Sequence, residues 1–186
     1  MYALLSRLWL TEPDAELLDS LASADVATAL PEWFEVPSLD ELENLRADFT
    51  QLFIGPKDQS PPYQSVWQEG QFEGSATGTM RTYFDVLGYE PEVVGSADGV
   101  MPDHVSVQFD TMRSLLEQAA TKDDNEAAFV DLVASFFDDN LMWMPPLLGA
   151  VINRATTALY ANIARLTVEF MHDEAERFGH AQETQQ

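Results

Sequence analysis

Apolar residues recur three and four positions apart along nearly the whole chain, the spacing that lines one face of an α-helix. Tyr2, Leu4, Leu5, Leu8 and Trp9 crowd the first such stretch, which starts at the initiator methionine with no preceding arm. Thr11-Glu12-Pro13-Asp14 resembles a capped helix start and leads into Leu17, Leu18 and Leu21. Ser38-Leu39-Asp40-Glu41 has capping-box spacing and opens a helix with the stripe Leu39, Leu42, Leu45, Phe49, Leu52 and Phe53. Gly55-Pro56 ends that helix, and Pro61-Pro62 keeps the next segment extended.

A further helix is predicted from near Ser75 to Leu87, closed by Gly88. Residues 89–101, rich in Gly, Pro, Glu and Asp, predict a linker and a candidate hinge. Pro102 takes a first-turn position ahead of Val105, Phe109, Met112, Leu115 and Leu116. Lys122-Asp123-Asp124-Asn125 makes the next break, before a helix carrying Phe129, Leu132, Val133, Phe136, Phe137 and Leu141. Pro145-Pro146 interrupts it, and one last long helix spans Leu148 to Phe170 through Val151, Ile152, Leu159, Ile163 and Leu166. Residues 179–186 form a polar, frayed tail. No stretch alternates with a period of two. The expectation is an all-α single domain over residues 1–178, with about six or seven main helices.

Composition narrows the function classes. Hydrophobic residues make up 46% of the chain, enough for a packed core throughout one domain. No apolar run is long enough to span a bilayer, and the first helix lacks a basic leader with a cleavage site, so a cytoplasmic protein without stable membrane insertion is expected. Cysteine is absent, which removes disulfides, zinc–thiolate sites and cysteine nucleophiles. Three histidines, His104, His172 and His180, make a His-rich metal site unexpected.

Charge is the strongest bias: 32 acidic against 9 basic residues give a net charge of −23, which argues against phosphate-backbone binding and so against nucleic acid. Two readings of the acid excess compete. One is a solvated surface for molar internal salt, where screening shortens the Debye length to roughly 3 Å. The other is an attraction for a basic peptide. The acids are scattered along the chain, which favours the first.

Generic catalytic signatures are missing: no phosphate-binding glycine loop, no HExxH and no GxSxG elbow. The pairs Asp123/Asp124 and Asp138/Asp139 are common coincidences in so acidic a chain. No catalytic residue, metal site or cofactor is expected.

Two segments are more particular. One is Phe49-Thr50-Gln51-Leu52-Phe53-Ile54-Gly55-Pro56, followed by Pro61-Pro62-Tyr63-Gln64-Ser65-Val66-Trp67. The other is Met101-Pro102-Asp103-His104. Together they resemble the TorD/DmsD/NarJ family of molybdoenzyme-specific chaperones: an aromatic-Leu-Phe-x-Gly helix end, a Pro-x-x-Ser loop with a following aromatic, and a Pro-Asp-His hinge. The family-like helix with Tyr83 and Gly88 lies between them, and Phe136-Phe137 through Leu141, Trp143 and Pro145 continues the likeness. Met101 stands where many members have glutamate, which is closer to the NarJ-like branch. Asn140-Leu141 replaces a common His-Leu pair.

The resemblance implies a TorD-like helical bundle that binds a molybdopterin oxidoreductase subunit, through its twin-arginine signal peptide, and delays export until cofactor insertion and folding are complete. It implies a site drawn from Leu52, Phe53, Gly55, Pro56, Tyr63, Ser65, Trp67, Pro102, Asp103 and His104. Such a peptide needs an apolar groove with carboxylates at one end. Leu52, Phe53, Tyr63 and Trp67 supply the first ingredient and Asp103 beside His104 the second. Each residue also has a plain structural reading. Leu52, Phe53 and Trp67 fit a core, Gly55-Pro56 ends a helix, and Pro102-Asp103 suits a helix start. A hinge at 89–101 would allow either a monomer or a domain-swapped homodimer. The alternatives are a NarJ-like assembly factor that binds a mature subunit without an export signal, and a helical carboxylate–metal enzyme. The second would need Glu-x-x-His pairs that the chain does not offer.

Overall fold

The structure is a computed structural model that describes residues 1–91, 93–94, 99–121 and 126–178. Among the described residues there are ten α-helices and no strand. In chain order they are α1 (Tyr2–Leu10), α2 (Ala15–Ala22), α3 (Ala24–Ala27), α4 (Leu42–Phe49), α5 (Gln64–Glu69), α6 (Ser75–Leu87), α7 (Val105–Thr121), α8 (Glu126–Asn140), α9 (Pro145–Arg154) and α10 (Ala158–Arg177). None is long and apolar enough, over the described residues, to cross a membrane.

Several local signals act where the sequence places them. Asp14 caps α2, accepting the Leu17 N–H at 2.7 Å. Ser38 and Glu41 form the capping box, the Ser38 N–H donating to Glu41 Oε2 at 2.9 Å. Gly88 closes α6 with φ 60°, the left-handed conformation that costs glycine nothing. After α4 the chain widens into a π-turn over Thr50–Ile54, and the Gly55 N–H donates to the Thr50 carbonyl at 2.7 Å. A Cβ at Gly55 would stand 3.3 Å from the carbonyl oxygens of Thr50 and Gln51, so glycine suits this tight exit.

The helices differ from expectation in three places. The count is ten because α3 and α5 are short and because the predicted last helix divides into α9 and α10. The division has a visible cause: the Asp48 carboxylate takes the N–H groups of Thr156 and Thr157, which then start a new helix. Pro102 does not occupy a first helical turn, since α7 begins at Val105. The Val105 N–H donates to the Pro62 carbonyl at 2.9 Å instead, and this long-range pairing fixes where the helix starts. Residues 92 and 95–98 of the hinge loop, the break at 122–125 and the tail 179–186 lie outside the described residues.

The chain forms two compact units. The first comprises Met1, Thr11–Pro61 and Pro145–Gln186. Here α10 packs on α9 and α4, and Leu17, Leu21, Leu45, Leu52, Leu148, Val151 and Ile163 are buried. Phe49, Phe53 and Tyr160 pack as an aromatic triad, with centroids 5.1 to 6.0 Å apart. The second unit comprises Tyr2–Leu10 and Pro62–Met144. In it α1 and α8 pack on α7, and α5 packs on α6. Leu5, Leu8, Phe109, Met112, Leu115, Phe136 and Phe137 are fully buried there. Each such side chain contributes roughly 1.5–3 kcal/mol of burial free energy, so both cores rest on apolar stripes read at helical spacing.

Candidate functional site

Tyr63, Ser65, Asp103 and His104 come together in the second unit. Tyr63 and His104 form an isolated antiparallel bridge, and the Gln64 N–H donates to the Asp103 carbonyl at 3.1 Å. That pairing presents the Asp103 side chain to the start of α5. Its Oδ2 accepts the Ser65 N–H at 3.0 Å and the Ser65 hydroxyl at 2.5 Å, while Oδ1 accepts the Thr77 hydroxyl at 3.0 Å. Asp103 is fully buried, and among the described residues no ion pair includes it. Neutral donors and the amide end of α5 balance its charge. Asp103 thus clamps α5, α6 and the start of α7 to one another.

His104 precedes α7 as its cap. Its Nδ1 accepts the Ser106 N–H at 3.1 Å and lies 2.7 Å from the Ser106 hydroxyl. Burial pushes its pKa down to about 3, so the ring is neutral at physiological pH. Tyr63 stacks edge-to-face on His104 at 4.8 Å and on Phe72 at 5.3 Å. Burial, and then the Asp103 charge, raise the Tyr63 pKa. The result is an aromatic ladder with a graded exposure: His104 buried, Tyr63 half-buried, Phe72 half exposed to solvent.

The remaining predicted residues are placed as follows. Pro102 is buried beside Asp103, and Trp67 is half-buried on α5. Leu52, Phe53, Gly55 and Pro56 belong to the first unit, where Leu52 and Phe53 are core residues, the latter inside the aromatic triad. Gly55 and Pro56 form the exit from the π-turn.

Sequence reasoning missed other members of the site. Phe72 sits in a Gly- and Glu-rich stretch with no periodicity to mark it. Thr77 is one threonine among several on α6. Gln64 and Gln108 form a buried amide chain: Gln108 Nε2 donates to Gln64 Oε1 at 2.6 Å, and Gln64 Nε2 to the Asp139 carbonyl at 2.7 Å. The Trp143 indole N–H completes it, donating to Gln108 Oε1 at 2.9 Å. Beside it the Tyr83 hydroxyl donates to Asp139 Oδ2 at 3.0 Å, and burial followed by this bond raises the Tyr83 pKa. Among the described residues no three His, Asp or Glu side chains gather where they could hold a metal ion.

An all-helical fold of this kind is found in a solved structure, that of a proposed redox enzyme maturation protein from Archaeoglobus fulgidus. The two agree with a TM-score of 0.57 over 91% of each chain at 22% identity, a likeness of fold. Sequence goes further. The family model described as nitrate reductase delta subunit matches residues 16–148. The chaperone protein YcdY of Escherichia coli K12 is 30% identical over 139 residues, covering 73% of this chain and 67% of YcdY. The chain therefore belongs to the TorD/DmsD/NarJ-type family of redox enzyme maturation chaperones, a family of chaperones and not of enzymes.

Proposed function

We propose that the chain binds the twin-arginine signal peptide of a molybdenum-cofactor oxidoreductase subunit in the cytoplasm, and holds it until cofactor insertion and folding are complete. The observation that carries this reading is the aromatic ladder with an open end, built on the Pro62–Trp67 and Pro102–His104 segments through which the chain resembles its family. Phe72 and Tyr63 offer a large apolar contact at low entropic cost, and Trp67 adds to it from α5. Asp103 and His104 serve by positioning, since the carboxylate is occupied by Ser65 and Thr77. The peptide's guanidinium groups pair instead with the exposed carboxylates of Asp138 and Asp139 near the end of α8, where Gln64 of α5 donates to the Asp139 backbone carbonyl.

Co-purification from native extract at molar salt should bring down a molybdopterin oxidoreductase. Titration with that client's signal peptide should saturate. Phe72→Ala and the pair Asp138→Asn/Asp139→Asn should each weaken it about tenfold. Equal affinity for the mature subunit lacking its signal would shift the reading to an assembly factor. Unchanged affinity in both variants would remove the site.

A further inference from the structure

We infer that Glu69 is a positioning residue for the open end of the aromatic ladder: it holds the loop that carries Phe72 in one conformation before any partner arrives. The inference rests on the signal-peptide reading of that ladder and adds a residue that acts through Phe72. Residues 70–74, Gly-Gln-Phe-Glu-Gly, join α5 to α6 and are exposed apart from Gly74. A glycine-flanked loop of this kind averages over many conformations unless something ties it. Glu69 and Ser75 tie it at its two ends. Glu69 Oε1 accepts the Ser75 N–H at 2.7 Å and the Ser75 hydroxyl at 2.6 Å. The hydroxyl bond first, and then the N–H bond, hold the Glu69 pKa below the ordinary glutamate value.

Two features of the loop belong to this closed form. Glu73 has φ 58°, a left-handed conformation that a non-glycine residue keeps only where its surroundings impose it. Gly74 lies under the carboxylate: a Cβ there would stand 2.5 to 2.6 Å from its atoms, closer than packed atoms come. Glycine at 74 is thus what admits the bridge. The helices themselves have another anchor, because Ser65 on α5 and Thr77 on α6 are both bonded to the buried Asp103. What the bridge fixes is the loop, and with it Phe72. A half-exposed ring already held in place binds without the entropic cost of ordering it.

NMR relaxation on the isotope-labelled full chain, and titration with acetyl-Arg-Arg-Ala-Phe-Leu-Ala-Leu-Ala-amide, test the assignment. Amide order parameters across 70–74 should be about 0.85, as in the helices, and should fall below about 0.6 in Glu69→Ala. Gly74→Ala, which pushes the flexible carboxylate aside but keeps its charge, should do the same. Glu69→Gln keeps an oxygen for both Ser75 donors and should stay ordered. Glu69→Ala and Gly74→Ala should each raise the peptide Kd about fivefold, and neither should add to the loss in a Phe72→Ala background. An ordered loop in Glu69→Ala, a Glu69→Gln variant as weak as Glu69→Ala, or losses additive with Phe72→Ala would each overturn the proposal. A wild-type chain that fails to bind the peptide would overturn the signal-peptide reading and this role with it. Binding that ignores Glu69 would overturn this role alone.

Discussion

Both units are organised around a buried aspartate next to an aromatic cluster, but one cluster is sealed and the other is open. In the first unit Asp48 accepts the N–H groups of Thr156 and Thr157 and the Thr157 hydroxyl, at 2.6 to 3.2 Å, and so starts α10. The neighbouring Phe49, Phe53 and Tyr160 are all buried. In the second unit Asp103 does the same for α5, but its aromatic neighbours run outward from His104 through Tyr63 to a half-exposed Phe72. The shared device shows how a chain with few cations buries a charge: it spends helix-end amides and hydroxyls on it. Under the proposed function the difference separates a core from a site, since an apolar cluster left incomplete at the surface is what a partner completes.

The largest effect should separate the two clusters. Phe53→Ala empties a packed triad and should cost about 4 kcal/mol of unfolding free energy in a denaturant titration. Phe72→Ala should change stability by less than about 0.5 kcal/mol, because half of the ring is already in water. Similar losses from both would erase the distinction between sealed and open.

The two clamps should act in the same sense. Asp103→Ala strands buried donors and Asp48→Ala part-buried ones that water can reach, so they should cost about 3 and about 2 kcal/mol respectively by the same titration. Asn is the sharper substitution at Asp103. Its oxygen can still accept from Thr77, but its NH₂ would face the Ser65 N–H, so part of the loss should remain. A neutral outcome at either position would mean that the donors find other partners.

His104 adds a pH dependence that the first unit's triad lacks. The ring titrates at about 3 in the fold against 6.5 when free, so the unfolded chain takes up the proton first as pH falls. The stability this confers is fully present above pH 6.5 and is lost progressively towards pH 3. His104→Asn keeps a cap that can accept the Ser106 N–H and removes the titration. Between pH 6 and pH 4 wild type should therefore lose about 2 kcal/mol more than the variant, measured as unfolding free energy. Parallel pH curves would show that His104 is solvated and not buried.

Much of the helical order was legible because its signals are local. Asp14, the Ser38–Glu41 box and Gly88 each act within a turn or two of their own position, so spacing alone reveals them. The clamps were illegible for the opposite reason. Asp48 and Thr156 are 108 residues apart, and nothing in either neighbourhood announces the other. Continuous apolar spacing across residues 148–170 therefore read as one helix. Pro102 suited a first turn by local chemistry, and the Pro62–Val105 pairing overrode it. Resemblance supplied Tyr63, Ser65, Asp103 and His104 as a group, but not their division of labour. A carboxylate beside a histidine reads as a charged end, while the structure spends it on Ser65 and Thr77. Phe72 carried no signal, being a lone aromatic among Gly, Glu and Gln.

The smallest expected effect tests whether neutral donors, and not ion pairs, carry the balance of charge. Arg113 on α7 bonds Asp110 at 2.8 Å and Glu117 at 2.8 Å, and these bonds raise its pKa. Its partners differ from those of Asp48 and Asp103 in being charged and reachable by salt, with the Glu117 side chain 63% exposed. Arg113→Gln should therefore cost about 0.5 kcal/mol at low ionic strength and close to nothing at molar salt. Asp48→Ala should keep its full cost under both conditions, because its donors carry no net charge to screen. A salt-independent loss at Arg113 would place ion pairing among the forces that hold the second unit. A salt-dependent loss at Asp48 would show that long-range repulsion within this chain of net charge −23 reaches the clamp itself.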